Sequence, residues 1–290
     1  MKRRRSVYGT VLVVLVLAAS VGVALTTANA ATSPTLVAAA GYSVLGGQAV
    51  TCTGPTTTTG AVGVSPLTSI TGFTGLPNCL AEGGTDSANL SANAAQADAT
   101  AAFTTLDQPC TQSFGASFNL ASLSPLGPGV YCDTSSFSLT GTLTLTTGPG
   151  VWIFKTVSTI ITSSGSSVTG GDPCNVWWRI GSSATLATTT SFEGTIIALN
   201  GLDAMQTGAT LNGRILALSA GTVTLDNNII TGPTCETTGG GTTTTTTGGG
   251  TTPTTALSST TTTAPSSTTT TAPSSTTTTA PPGVVAKFTG

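Results

Sequence analysis

The 290-residue chain has no histidine, and only 6% of its residues are charged. The first absence removes Ser-His-Asp triads, histidine metal sites and imidazole acid–base catalysis. The second lies far below the roughly one quarter typical of soluble domains. Of eight basic residues, four stand in the first five positions. The remainder, Lys155, Arg179, Arg214 and Lys287, cannot form a phosphate-binding stripe, which argues against nucleic acid as a partner. The six cysteines include no C-x-x-C pair, so with histidine also missing neither a metal nor another cofactor is expected. What abounds is threonine, at 65 residues, beside 36 glycines.

The ends differ from the middle. Lys2-Arg3-Arg4-Arg5, the apolar run from Val11 through Ala19, and Ala28-Asn29-Ala30 read as the basic region, apolar core and cleavage site of an export signal over 1–30. A secreted, extracellular protein is therefore expected, and Ser20, Gly22 and Thr26-Thr27 interrupt the run before membrane-spanning length. From 236 to 282 the chain is almost wholly Thr, Gly, Ser, Pro and Ala, with three copies of Ser-Ser-Thr-Thr-Thr-Thr-Ala-Pro. It reads as a linker or stalk suited to a cell surface or cell wall, followed by a short tail at 283–290.

The body between them, 31–235, holds all six cysteines, Cys52, Cys79, Cys110, Cys132, Cys174 and Cys235. An even number in an exported chain implies three disulfides. Fifteen pairings exist, and the preferred one joins consecutive partners: Cys52 to Cys79, Cys110 to Cys132, and Cys174 to Cys235. One helix is expected at about 87–106, capped by Asp86 and packing through Leu90, Ala94, Ala97 and Ala101. The rest reads as short strands.

After Gly129 the sequence stacks at a period of about 20 residues, into rows 129–150, 151–174, 175–194, 195–213 and 214–232. Four rows open with an apolar run, such as Val151-Trp152-Ile153-Phe154 or Ile196-Ile197-Ala198-Leu199, which is apolar on both strand faces and so should be covered twice. The helix is the natural cover, and Trp152, Trp177 and Trp178 are expected in the core. A second segment alternates, as in Ser136-Phe137-Ser138-Leu139-Thr140 or Thr222-Val223-Thr224-Leu225. A third ends in glycine. Three short strands per row describe a mainly β, right-handed β-solenoid of triangular cross-section with the helix alongside.

At this point the chain resembles the DUF3494-type ice-binding (antifreeze) proteins. The resemblance rests on Gly63-Val64-Ser65-Pro66, Ile70-Thr71-Gly72-Phe73, Ala95-Gln96-Ala97-Asp98, Pro128-Gly129-Val130-Tyr131, Asn175-Val176-Trp177-Trp178, Gly181-Ser182-Ser183-Ala184-Thr185-Leu186 and Gly208-Ala209-Thr210-Leu211-Asn212-Gly213-Arg214, in order from about Tyr42 to Cys235. It implies a discontinuous solenoid, whose N-terminal strands pack near the C-terminal rows. It also implies adsorption to ice through one flat face, commonly that of the second strand of each coil.

Alternation places Ser136, Ser138, Thr140, Thr159, Ser183, Thr185, Thr222 and Thr224 on the outer side of the second strands. The family pattern adds Thr51, Thr53, Ser69 and Thr71. Such positions form a grid about 4.8 Å by about 6.7 Å, and threonine, stiff at χ1, keeps it pre-organised. Two places disturb it. Ile161 faces outward, and the 195–213 row offers Ala204 with Asp203 inward, so that this row is either shifted by one residue or interrupted. The partner expected is ice or an ordered water surface, bound by a monomer. The alternatives are a surface adhesin or polysaccharide-binding solenoid, and a carbohydrate enzyme drawing on Asp172, Glu193, Asp203 or Asp226. Those carboxylates fall at different row positions, so the expectation is a protein without catalysis.

Overall fold

The computed structural model describes residues 30–115, 117–232 and 235. The segments at 1–29, 236–282 and 283–290, with the export signal and stalk read from them, lie outside the described residues.

Each coil lays down three short strands that pair in parallel with those of the next coil. The first-strand sheet runs through Gly129–Asp133, Trp152–Thr156 and Val176–Ile180, with Trp152 opposite Val176 and Phe154 opposite Trp178. It continues through the middle of Ser191–Met205 and Thr210–Asp226, where Trp178 meets Ile196 and Ile196 meets Ile215. These are the rows read from the sequence. A partial coil precedes them, with Gln112–Phe114 on Gly129–Asp133 and Phe118–Asn119 on Phe137–Leu139. The repeat missed it because it holds only short strand fragments and a 3-10 turn at Leu120–Leu123.

Chain order then breaks. The strand after Ile215 in space is the N-terminal Tyr42–Gly46, with Val44 opposite Ile215, and beyond it come Ala61–Val64 and Thr85–Ser87. The N-terminal coils thus stack on the last C-terminal coil, and the solenoid is discontinuous.

Inside, Phe154 stacks on Trp178 at 4.1 Å between ring centroids, and Trp178 meets Phe192 at 4.6 Å. Leu139, Leu143, Ile160, Leu186, Leu211, Val223 and Ile230 complete an axial column of buried side chains. The coils repeat at glycine where backbone meets backbone: a Cβ on Gly213 would lie 1.9 Å from the Gly194 carbonyl oxygen.

The outer side of the first strands is also buried. Val130, Ile153, Trp177, Ile197 and Leu216 form a second core under the helix α1 (Leu90–Thr105) and the segment ending at Val37–Gly41. This is the double cover that the apolar openers required. Two corrections apply to the helix. It begins after Asn89, whose side chain accepts from the Ala92 N–H at 2.9 Å. Asp86 is not the cap, because Thr85–Ser87 is spent as an edge strand, where Asp86 accepts from the Tyr42 hydroxyl at 2.6 Å. Nor does α1 pack through Leu90, Ala94, Ala97 and Ala101, which are exposed. The packed face is Ala92, Ala95, Gln96, Ala99, Ala102 and Phe103. Alanine at so many positions fits several helical stripes, and the bulk of Phe103 decides among them. Gln96 Nε2 donates to the Ala217 carbonyl at 3.0 Å, and the Arg179 guanidinium lies 4.1 Å from the Phe103 ring centroid while its Nε donates to the Phe103 carbonyl.

The disulfides join Cys52 to Cys79, Cys110 to Cys132 and Cys174 to Cys235, across separations of 27, 22 and 61 residues. By loop-closure entropy each stabilises the fold by about 3–4 kcal/mol.

Candidate functional site

The second-strand sheet is the surface on which the twelve hydroxyl residues meet. Its central outward column reads Ser138, Ile161, Thr185, Ala204, Thr224, Thr51 and Thr71, each opposite the next across a parallel ladder. A second outward column carries Leu202, Thr222, Ala49 and Ser69 in the same order. Ser136, Thr159 and Ser183 extend it by alternation, and Thr159 Oγ1 donates to Ser136 Oγ at 3.0 Å. Thr140 and Thr53 occupy a third column at its margin. Thr51, Thr53, Ser69, Thr71 and Thr140 are exposed, and Ser136, Ser138, Thr159, Ser183, Thr185, Thr222 and Thr224 are half-buried between neighbouring coils. None of the twelve points inward. The inward partners, Phe137, Ile160, Ala184, Val223 and Val50, are core residues.

The open question of the 195–213 row, whose coil in the structure occupies 195–212, resolves as interruption without a shift. Thr185 faces Ala204 and Ala204 faces Thr224, so the register is kept. Asp203 points into the core and is fully buried. One carboxylate oxygen accepts from the Ala184 N–H at 2.6 Å, ahead of the point where the Thr185–Ala204 ladder begins, and the other has no partner among the described residues. Desolvation pushes this carboxyl up to about 8, partly offset by that backbone hydrogen bond. Neutral at moderate pH, it adds no charge beneath the grid. Ile161 and Leu202 do face outward, at 52% and 53% exposure.

The central and second columns hold no charged side chain. At the margin Asp226 accepts from the Thr207 and Thr53 hydroxyls, and a trough of about 460 Å³ opens beside Ala204, bounded by Thr51, Thr224, Gln206 and Asp226. Sequence alternation missed Ser163, whose hydroxyl lies 2.8 Å from that of Thr140. Carrying the period two residues past Ile161 finds it.

The carboxylates considered for catalysis serve separate places. Asp172 caps the turn at Pro173–Asn175 by accepting from the Cys174 N–H. Glu193 sits half-buried on a third strand, its carboxyl raised by desolvation against a hydrogen bond from Asn212. Asp203 is internal and Asp226 marginal. Trp152, Trp177 and Trp178 are all buried. The third-strand sheet also exposes hydroxyls, at Thr142, Thr144, Thr169 and Ser191, but Glu193, Asn212 and Ile229 interrupt its columns.

A parallel, discontinuous β-solenoid with one covering helix and one Thr/Ser sheet whose two main outward columns carry no charge defines a class of protein, and sequence comparison places the chain within it. The profile of the family described as Ice-binding-like matches residues 44–231, and the chain belongs to that family. An ice-binding protein of Nostoc sp. (strain HG1) is 39% identical over 212 residues, which cover 71% of this chain and 77% of that protein. Among solved structures, an ice-binding protein from an Antarctic Biological Consortium aligns with TM-score 0.64 and 35% identity, over 70% of this chain and 93% of that one. The ice-binding protein of the ascomycete Antarctomyces psychrotrophicus aligns with TM-score 0.64 and 35% identity, over 70% and 100%.

Proposed function

We propose that this protein binds ice through the second-strand face, slowing ice growth or recrystallisation by adsorption, without turnover or cofactor. The carrying observation is the uncharged, in-register column through Thr224, Thr51 and Thr71. Strand spacing sets its hydroxyls and methyls on a grid about 4.8 Å by about 6.7 Å. Hydroxyls anchor waters, methyls limit where those waters sit, and the stiff χ1 of threonine means little freedom is lost on contact. A water layer so ordered merges with a crystal lattice. A charged side chain would orient water about itself instead, and the two main columns lack one. The named relatives, themselves ice-binding proteins, support the reading.

The three disulfides and the basic-apolar N-terminus support export, and the Thr-rich C-terminal segment suits attachment to a cell surface or wall. The test is direct. The purified chain shows thermal hysteresis and inhibits recrystallisation, and Thr224→Tyr removes both while leaving the melting temperature nearly unchanged. Ice growth unaltered by the unsubstituted chain at high concentration rules the function out. Full activity in Thr224→Tyr moves it to another face.

A further inference from the structure

We propose that ice contact is confined to one half of this face, the patch of Thr222, Thr224, Thr51, Thr53, Ser69 and Thr71, and that the 195–212 coil is its border. The inference rests on the ice-binding reading and divides the face that reading uses.

Composition separates the halves first. At its three outward positions the 195–212 coil presents Leu202, Ala204 and Gln206, so it contributes no hydroxyl at all. On one side of it stand five threonines and Ser69, with Ala49 in the second column and Asp226 at the margin beside Thr53. On the other stand Ser136, Ser138, Ser163 and Ser183 with Thr140, Thr159 and Thr185, and the exposed Ile161 occupies the central column. Serine lacks the methyl that stiffens threonine at χ1 and that walls in a bound water.

Hydroxyl availability separates them again. Thr222, Thr224, Thr51, Ser69 and Thr71 have no side-chain hydrogen bond among the described residues, and Thr53 alone of the patch is engaged, with the Leu225 carbonyl at 3.2 Å and with Asp226 at 3.5 Å. Across the border four of the seven hydroxyls satisfy one another, Thr159 with Ser136 at 3.0 Å and Thr140 with Ser163 at 2.8 Å, while Ser138, Thr185 and Ser183 have no side-chain hydrogen bond among the described residues. A hydroxyl already paired within the sheet has less capacity left for lattice water.

The patch is also assembled across the break in chain order. Thr222 and Thr224 come from the last C-terminal coil, and the other four from the N-terminal coils docked on it.

The experiment compares substitutions on either side of the border in the full chain, reading thermal hysteresis, with thermal unfolding to show that each variant is folded. Thr51→Tyr loses most of the hysteresis. Ile161→Tyr, equally bulky and central in the other half, keeps the unsubstituted value. Leu202→Thr with Ala204→Thr, which carries the grid across the border, raises it. Loss in Ile161→Tyr comparable with that in Thr51→Tyr overturns the inference in favour of the whole face, as does a Leu202→Thr/Ala204→Thr variant with unchanged hysteresis. Absence of hysteresis in the unsubstituted chain would instead sink the ice-binding reading itself.

Discussion

Asp203 shows how a single residue can look like a flaw in a pattern and be a fixture of the structure. Strict alternation puts it inward, where a carboxylate costs dearly, and the sequence left open whether the strand had slipped. The slip is avoided because the carboxyl supplies the acceptor that the Ala184 N–H lacks at the start of its ladder. That pairing depends on the corner between first and second strands, which the periodicity does not describe. Since burial lifts the folded-state pKa from the ordinary 3.8 to about 8, the folded chain holds a proton over this range that the unfolded chain has released. The contribution is fully present below pH 4 and is lost as pH rises through 8. The melting temperature is therefore expected to fall between pH 4 and 8. Asp203→Asn, which keeps an acceptor for Ala184 and cannot ionise, flattens that fall; an equally steep profile in the variant would refute the assignment. Glu193 shifts the same way, so the difference between the two profiles, not either alone, reports Asp203.

At the scale of elements, strands were more legible than the helix. Their two-residue period in Ser136–Thr140 and Thr222–Leu225 leaves one choice of face, and every hydroxyl so placed lies outward. The helix offered no such contrast. With alanine at positions 92, 94, 95, 97, 99, 101 and 102, apolar stripes overlap around the cylinder, and the sequence pattern alone does not single out the one that packs through Phe103. Its start is ambiguous in the sequence for a related reason. Asp86 and Asn89 are both good caps, and only the pairing of Thr85–Ser87 with Ala61–Val64 removes the first. Asn89→Ala is accordingly expected to destabilise the protein by about 1 kcal/mol, measured by urea unfolding. Asp86 accepts from the Tyr42 hydroxyl and from Asn89 Nδ2 at 2.5 Å, supporting the cap residue without accepting from the helix, so Asp86→Ala should lower stability and leave helix content unchanged by circular dichroism. Loss of helix in that variant would restore Asp86 as the cap.

For the molecule as a whole, the repeat period gave the coils from Gly129 onward, whereas docking of the N-terminal coils on the last C-terminal one came only with the family resemblance. No local pattern records it, because Val44 and Ile215 meet across most of the body's length. The bridge from Cys174 to Cys235 adds a consequence for mechanical load. It spans 61 residues, which include the 176–193, 195–212 and 214–231 coils. Tension entering through the chain beyond Cys235 passes through sulfur to Cys174, bypassing the ladders of those coils. Stretched from its ends, the oxidised protein should hide about 200 Å of contour, which Cys174→Ser with Cys235→Ser releases in single-molecule pulling. Equal extension in both would show the bridge carries no load. With it closed, the coil that presents Thr222 and Thr224 lies outside the force path, so a pull on the C-terminal chain does not unzip it.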